Sequence, residues 1–162
     1  ELRGDEFVTQ KIVTQAVEII EGKRKYIELG TLEPKRDWGY APEYVEAMHK
    51  MLQMPEAKDY VIATGESHSI REFVQEVFMN IRSITGNNLT IEKNVIINDK
   101  YKRPTDIMDM YGNPEKAKLE LGWKADTKFK QLVSILVFTQ LVKETKVGRL
   151  ESPAIYREKY PE

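Results

Sequence analysis

The sequence contains no cysteine and only two histidines, His49 and His68. The lack of cysteine excludes disulfides, thiolate metal ligands and a cysteine nucleophile, and it fits a reducing compartment. Because the two histidines lie far apart in the sequence and have no cysteine beside them, no motif for a metal site is present. We therefore expect neither a metal centre nor a thiol-based catalyst.

The chain also lacks a strong net charge and a long apolar run. Its 25 basic and 26 acidic residues nearly cancel, so its overall field attracts neither nucleic acid nor an anionic membrane. No run approaches the roughly 18 apolar residues of a membrane span, and the first residues lack the basic-then-apolar order of a signal peptide. We expect a cytoplasmic protein with no nucleic-acid or membrane partner, in which any anion site is built locally.

Helical and strand-like patterns alternate along the 162 residues, of which 41% are apolar. "FVTQKIVTQAVEIIEGK" predicts a helix that ends near Gly22, and "APEYVEAMHKMLQ" predicts a second one with Pro42 in its first turn. "ESHSIREFVQEVFMNI" predicts a third helix with Ser69 as its cap, and "FKQLVSILVFTQLVKET" predicts a long apolar helix. Between them, "KYIELG" and "DYVIATG" read as strands, and "NLTIEKNVIIND" carries one or two β-rich runs.

A further helix is predicted in "NPEKAKLELGW", with Asn113 as its cap and Pro114 at its first position. Trp123 and the apolar face of residues 129–142 are predicted to be core or packing surface. The fold class is therefore mixed α/β. If the apolar residues of "FVTQKIVTQAV" or "FKQLVSILVF" faced a domain outside this sequence, they would form an exposed patch that favours a homo-oligomer or another partner.

The motifs of a self-sufficient α/β enzyme are missing. None of the nine glycines belongs to a Gly-x-Gly-x-x-Gly or Walker loop, and no tyrosine has a lysine four residues later. The residues thus provide no catalytic group that we can assign. This pattern suggests a fragment of a longer protein.

Five stretches together resemble the C-terminal portion of GDP-mannose 4,6-dehydratases, members of the extended short-chain dehydrogenase/reductase superfamily. They are "RGDEFVTQKI", "LGTLEPKRDWGYAPEYVEAM", "DYVIATGESHSIREFV", "KRPTDI" and "GNPEKAKLELGWK". The resemblance covers residues 2 to about 135. It implies a nucleotide-sugar substrate-binding α/β domain, which we place over residues 1–147, and residues 148–162, which have little periodicity, are predicted to be a C-terminal tail.

The resemblance also implies a missing N-terminal Rossmann domain that carries the catalytic residues and binds most of NADP. The whole enzyme would be a lyase that converts GDP-mannose to GDP-4-keto-6-deoxy-mannose, and the chain by itself would be inactive. Two alternatives stay open: a fragment of a related GDP-sugar epimerase or reductase, and a non-catalytic remnant that acts as a protein-interaction module.

The resemblance places Arg36, in "RDWG", at the nucleotide-sugar site, where its guanidinium can hold phosphate or ribose oxygens in fork geometry. Asp37 would orient this fork and Trp38 would form a wall. Read from the residues alone, Arg36 and Asp37 could equally form an exposed ion pair worth ~0–1 kcal/mol at a helix-entry turn.

The resemblance implies further substrate contacts from Val8, Lys11, Arg103 and Asp106. Asp106 stands where the family commonly has Glu, and Lys102 stands where it commonly has an aromatic residue. We expect the three cations among these residues and Arg36 to point into one cleft near Asp106, because a nearly neutral chain needs cations gathered at short range to hold a diphosphate. Solvated surface positions are the alternative for Lys11, Arg103 and Asp106.

Arg3 matches the second arginine of the family's "RRG" turn, which approaches the NADP side of the cleft, and Leu2 replaces the first. The resemblance therefore implies a cofactor contact from Arg3, with a frayed terminus as the alternative. His68 and Ser69 lie at a helix start where an anion can bind, but capping by Ser69 is the stronger interpretation.

Overall fold

The computed structural model describes residue 4, residues 7–102 and residues 105–145. Its contacts divide the chain into two compact units, which we describe separately. The first unit comprises the chain up to residue 32, residues 71–104 and the chain from residue 133 onward; the second comprises residues 33–70 and 105–132.

Helices predominate over short strands in both units. The helices are α1 (Val8–Ile20), α2 (Ala41–Leu52), α3 (Ile70–Thr85), α4 (Ile91–Asn94), α5 (Glu115–Leu121) and α6 (Phe129–Thr145), and a 3-10 turn covers Asp99–Tyr101. The strands are β1 (Ile27–Leu29), β2 (Lys35–Arg36), β3 (His68–Ser69) and β4 (Val95–Ile97). The predicted mixed α/β class is confirmed.

In the first unit, α1 buries one face and ends where the sequence predicts. Ile12, Val13, Ala16 and Val17 are fully buried on this face. Gly22 follows the helix with a φ of 75°, a left-handed conformation that glycine adopts without strain and that commonly ends a helix. The helix thus has both the periodicity and the termination signal of an amphipathic helix.

A small parallel sheet accompanies α1 in the first unit. β1 pairs with β4 in the register Ile27 to Val95 and Leu29 to Ile97. The chain extends the pairing beyond the strands, because Asn98 N donates to the Leu29 carbonyl at 2.8 Å. This brings the 3-10 turn against the end of β1 at Gly30.

In the second unit, β2 has hydrogen-bonded neighbours on both edges. β3 pairs with it antiparallel, with Arg36 opposite His68. On the other edge, Lys35 N donates to the Met108 carbonyl at 2.8 Å, and Met110 N donates to the Lys35 carbonyl at 3.3 Å. The stretch around residues 108–110 therefore lies along β2.

Trp123 anchors the core of the second unit, as predicted, and is 1% exposed. It packs in a cluster with Ala47 of α2 and with Ala117 and Leu121 of α5. Its indole N–H donates to the Glu43 carbonyl at 2.7 Å, which satisfies the one polar atom of this large side chain. The cluster fixes α2 and α5 against each other.

Three sequence predictions of local structure need correction. Residues 57–64, which include most of "DYVIATG", form no strand, because side chains rather than a ladder hold them: Tyr60 Oη donates to Glu120, and Thr64 N donates to Asp37. The run "NLTIEKNVIIND" forms α4 before its single strand, β4. α5 begins one residue late, with Pro114 at its cap and the Asn113 side chain accepting from Glu115 N at 3.0 Å.

The apolar residues suspected of facing an absent domain are mostly buried. In "FVTQKIVTQAV" only Phe7 is exposed among the large apolar residues, and the apolar residues of "FKQLVSILVF" are all buried. The expectation of an exposed patch on these two helices was therefore wrong, since both find packing partners within this chain. Among the described residues, no helix is long and apolar enough to cross a membrane.

Candidate functional site

Arg36 and Asp106 form a half-buried ion pair in the second unit. The Arg36 Nη2 atom lies 2.5 Å from Asp106 Oδ1, and the two side chains are 22% and 21% exposed. Arg36 Nη1 also donates to two backbone carbonyls, those of Lys35 at 2.7 Å and Ile107 at 2.6 Å. Three hydrogen bonds thus fix the plane of the guanidinium.

These contacts leave part of both groups for other partners. A guanidinium has five N–H donors, and in the described part of the chain no atom accepts from the Arg36 Nε–H or from the second Nη2–H. Within the same residues, Asp106 Oδ2 accepts no hydrogen bond. The pair can therefore donate to an anion and accept from a hydroxyl without breaking its internal contacts.

Asp37 does not orient Arg36, contrary to the sequence prediction. Its Oδ1 accepts from Thr64 N at 3.0 Å and Thr64 Oγ1 at 2.7 Å, and its Oδ2 accepts from Gly65 N at 3.0 Å. Successive side chains of an extended chain point to opposite faces, so adjacent residues rarely share a partner. Asp37 instead anchors the loop that leads into β3.

Trp38 belongs to an aromatic cluster with Phe129 and His68. Its ring stacks on Phe129 with centroids 6.0 Å apart, and His68 stacks on Phe129 at 3.9 Å. Glu66 lies beside this cluster, and its hydrogen bond with Lys128, 3.0 Å away, lowers the pKa of the Glu66 carboxyl. The cluster thus joins Trp38, through Phe129, to His68 of β3.

Gly39 completes the "RDWG" motif by making room for Tyr44. A Cβ at residue 39 would overlap the Tyr44 ring. Burial, and then the negative charges of Asp37 and Glu43, raise the pKa of Tyr44 to about 12. Each residue of the motif thus has its own contact: the ion pair, the loop anchor, the aromatic stack and the close approach to Tyr44.

Lys11 lies in the first unit, on α1. Its Nζ is 3.3 Å from the centroid of the Tyr101 ring, a cation–π contact. Burial lowers the pKa of Lys11, an effect that the nearby Glu28 opposes. The ammonium group of Lys11 has lost part of its hydration, and an anionic ligand could restore the lost stabilisation by forming an ion pair with it.

The remaining predicted site residues have fewer contacts or lie outside the described residues. Val8 is the first residue of α1 and is half-buried. Arg3 and Arg103 lie outside the described residues, as does the predicted tail. The meeting of Lys11, Arg36 and Arg103 in one cleft therefore stays a prediction. The described residues contain no group of three His, Asp or Glu side chains that could hold a metal.

Two polar contacts of the site were not predicted from the sequence. The Thr64 hydroxyl donates to Asp37 Oδ1, and the Ser67 hydroxyl donates to Asp109 Oδ1 at 2.6 Å. The partners are 27 and 42 residues apart, so no local spacing rule connects them. The polar residues that follow Gly65 in the sequence mark a turn, and this was the one feature of the sequence that pointed to side-chain contacts here.

The family model described as GDP-mannose 4,6 dehydratase matches residues 1–136. The GDP-mannose 4,6 dehydratase of Drosophila melanogaster is 45% identical over 143 residues, which are 82% of this chain and 36% of that protein. The Homo sapiens protein of the same name is 43% identical over 146 residues, which are 83% of this chain and 39% of that protein. The chain therefore spans well under half the length of these relatives.

Solved structures share the fold at low identity. RMD from Pseudomonas aeruginosa, solved with NADPH, has a TM-score of 0.72 and 19% identity over 87% of this chain and 44% of its own. The dTDP-glucose 4,6-dehydratase from Bacillus anthracis, solved with NAD, has a TM-score of 0.69 and 18% identity over 90% of this chain and 42% of its own. These matches show that the chain shares its mixed α/β fold with part of each of these proteins.

Proposed function

The chain belongs to the GDP-mannose 4,6 dehydratase family, and from this membership we propose that it is the substrate-binding portion of an enzyme that converts GDP-mannose to GDP-4-keto-6-deoxy-mannose. The observation that carries the proposal is the Arg36–Asp106 pair. A guanidinium that is held in place and still has two N–H donors is suited to the oxygens of a diphosphate. The second oxygen of Asp106 is suited to a ribose hydroxyl.

In this proposal the chain contributes to catalysis by holding the part of the substrate that does not react. The reaction oxidises the hexose at C4, eliminates water across C5 and C6, and returns the hydride to C6. Contacts with the remote GDP group fix the hexose where these steps occur. Lys11 and Arg103 would add positive charge, Val8 an apolar contact and Trp38 a wall.

NADP, when bound, would supply the hydride chemistry of the proposed reaction, and a Rossmann domain outside this sequence would hold most of it. The described residues fit this division, because none of them forms a glycine-rich turn between a strand and a helix. Arg3 is the one residue of this chain that we propose for the cofactor. We also propose a cytoplasmic protein.

Arg36→Ala should weaken the binding of GDP-mannose to the chain, as measured by isothermal titration calorimetry. At about 1.5–3 kcal/mol each, two lost charge-assisted hydrogen bonds correspond to at least a roughly 100-fold rise in the dissociation constant. Arg82→Ala, which removes the same charge from an exposed residue of α3 that has no assigned role in the candidate site, should leave the dissociation constant within about twofold, because a single exposed charge contributes little. Absence of binding by the unmodified chain, or equal affinities of the two variants, would contradict the proposal and favour the interaction module.

The unmodified chain, incubated with GDP-mannose and NADP, should form no 4-keto-6-deoxy sugar, because no residue of the chain is assigned to proton or hydride transfer. Product formation is measured by mass spectrometry of the nucleotide sugars. The matched control is a relative of full family length under the same conditions. Turnover by a preparation of the chain that is free of host enzyme would show that the catalytic groups are not confined to the missing domain.

A further inference from the structure

Residues 105–110, which include Asp106, form neither helix nor strand, although Asp106 is half of the candidate ion pair. Three hydrogen bonds hold residues 107–110 beside β2: two to the backbone of Lys35 and one from the Arg36 side chain to the Ile107 carbonyl. Asp106 precedes these contacts, and Arg36 is its one recorded partner among the described residues. Its position therefore depends on how firmly the following residues are fixed.

The hydrogen bond from Ser67 to Asp109 joins the two segments that flank β2. The N–H and carbonyl of Lys35 point to the edge occupied by residues 108–110, whereas the Pro34 carbonyl, which accepts from Ile70 N at 3.1 Å, points to the edge occupied by β3. Ser67 directly precedes β3. The bond of 2.6 Å thus connects the segments on opposite edges of β2.

The loop that carries Ser67 is itself well anchored. Asp37 accepts three hydrogen bonds from Thr64 and Gly65 at one end of the loop, and the pairing of β3 with β2 fixes the other end. The Ser67 hydroxyl is therefore held in a defined position. Asp109 attaches the segment of Asp106 to it.

We propose that Asp109, through its hydrogen bond with Ser67, is a positioning residue for the Arg36–Asp106 pair and thereby for the diphosphate of a nucleotide sugar. This inference rests on the proposed function. Loss of the bond should let residues 105–109 move, and Asp106 with them. The guanidinium would then lose the partner that sets the direction of its remaining donors.

The charge of Asp109 makes the two explanations distinguishable. A positioning role predicts that removing Asp109 raises the dissociation constant, whereas a purely electrostatic role predicts that removing it lowers the dissociation constant. If Asp109 acted only through its charge, removing it beside an anion site would tighten binding, and Asp109→Ala and Asp109→Asn would behave alike. If it positions the segment, Asp109→Ala should raise the dissociation constant for GDP-mannose roughly three- to tenfold, the range of one lost hydrogen bond. Asp109→Asn keeps an acceptor for Ser67 and should not weaken binding.

Ser67→Ala loses the bond but keeps the carboxylate, so it should weaken binding at least as much as Asp109→Ala, and the double variant should be no weaker than Ser67→Ala, since all three lose the same bond. Asp59→Ala is the matched control, because it removes an exposed carboxylate from the same unit and should leave the dissociation constant unchanged. A second readout is the NMR order parameter of the Arg36 Nε–H, which should fall in Asp109→Ala and Ser67→Ala but not in Asp59→Ala.

The outcomes separate this inference from the proposed function. If the unmodified chain binds GDP-mannose and Arg36→Ala weakens it while Asp109→Ala does not, the inference is overturned and the proposed function stands. If the unmodified chain does not bind, the proposed function fails and the NMR readout decides: an unchanged Arg36 Nε–H in Asp109→Ala overturns the inference, and a more mobile one supports the positioning role.

Discussion

Gly30→Ala should destabilise the chain by about 3 kcal/mol, the upper part of the range for an overpacked site. A Cβ at residue 30 would overlap the Tyr101 carbonyl and lie 2.7 Å from Lys102 N. Backbone atoms cannot swing aside as a side-chain end can, so the 3-10 turn would have to leave the end of β1. Urea denaturation followed by circular dichroism measures the loss of stability.

Gly86→Ala is the matched control, since it adds the same methyl group in the same unit. Residue 86 has a φ of +77° but nothing within 4 Å of an added Cβ, so this variant should lose only the ~1–2 kcal/mol of left-handed strain. Tyr101→Ala should not rescue Gly30→Ala, because the overlap is with the backbone. Rescue by that change, or equal stability of the two glycine variants, would show that the turn yields easily.

Local sequence patterns predicted the helices of this chain well. The periodicity of α1 and the glycine after it fixed both its buried face and its end. Helices form contacts over three or four residues, so their signals lie within a short window. The wrongly predicted strand in residues 59–65 shows the limit of this approach, because an apolar run does not reveal whether a neighbouring strand exists to pair with it.

The sequence analysis anticipated one contact of the candidate site and missed others. The family resemblance singled out Arg36 and Asp106, which are 70 residues apart and meet in the structure. It did not reveal that Asp37 would serve the Thr64 loop. Such partners depend on how β2 is flanked on its two edges, and that arrangement is a property of the assembled unit rather than of any window of sequence.

Glu43→Ala should lower the free energy of unfolding by about 3 kcal/mol, because it removes the buried carboxylate that accepts the Thr127 hydrogen bonds and it opens a cavity. Glu43 is 8% exposed in the first turn of α2. Its carboxylate accepts from Thr127 N at 3.0 Å and from Thr127 Oγ1 at 2.5 Å. For a chain of this size, the change corresponds to a fall of about 10 °C in melting temperature, measured by calorimetry.

Glu46→Ala is the control on the same helix, since it removes an exposed carboxylate whose ion pair with Lys50 contributes ~0.3–0.5 kcal/mol. Glu43→Gln should lose less than Glu43→Ala, because the amide oxygen still accepts one of the two Thr127 hydrogen bonds. If the contact is the cause, Thr127→Val and Glu43→Gln should couple in a double-mutant cycle. Equal melting temperatures of Glu43→Ala and Glu46→Ala would mean that Trp123 and its neighbours hold residues 122–128 on α2 without this carboxylate.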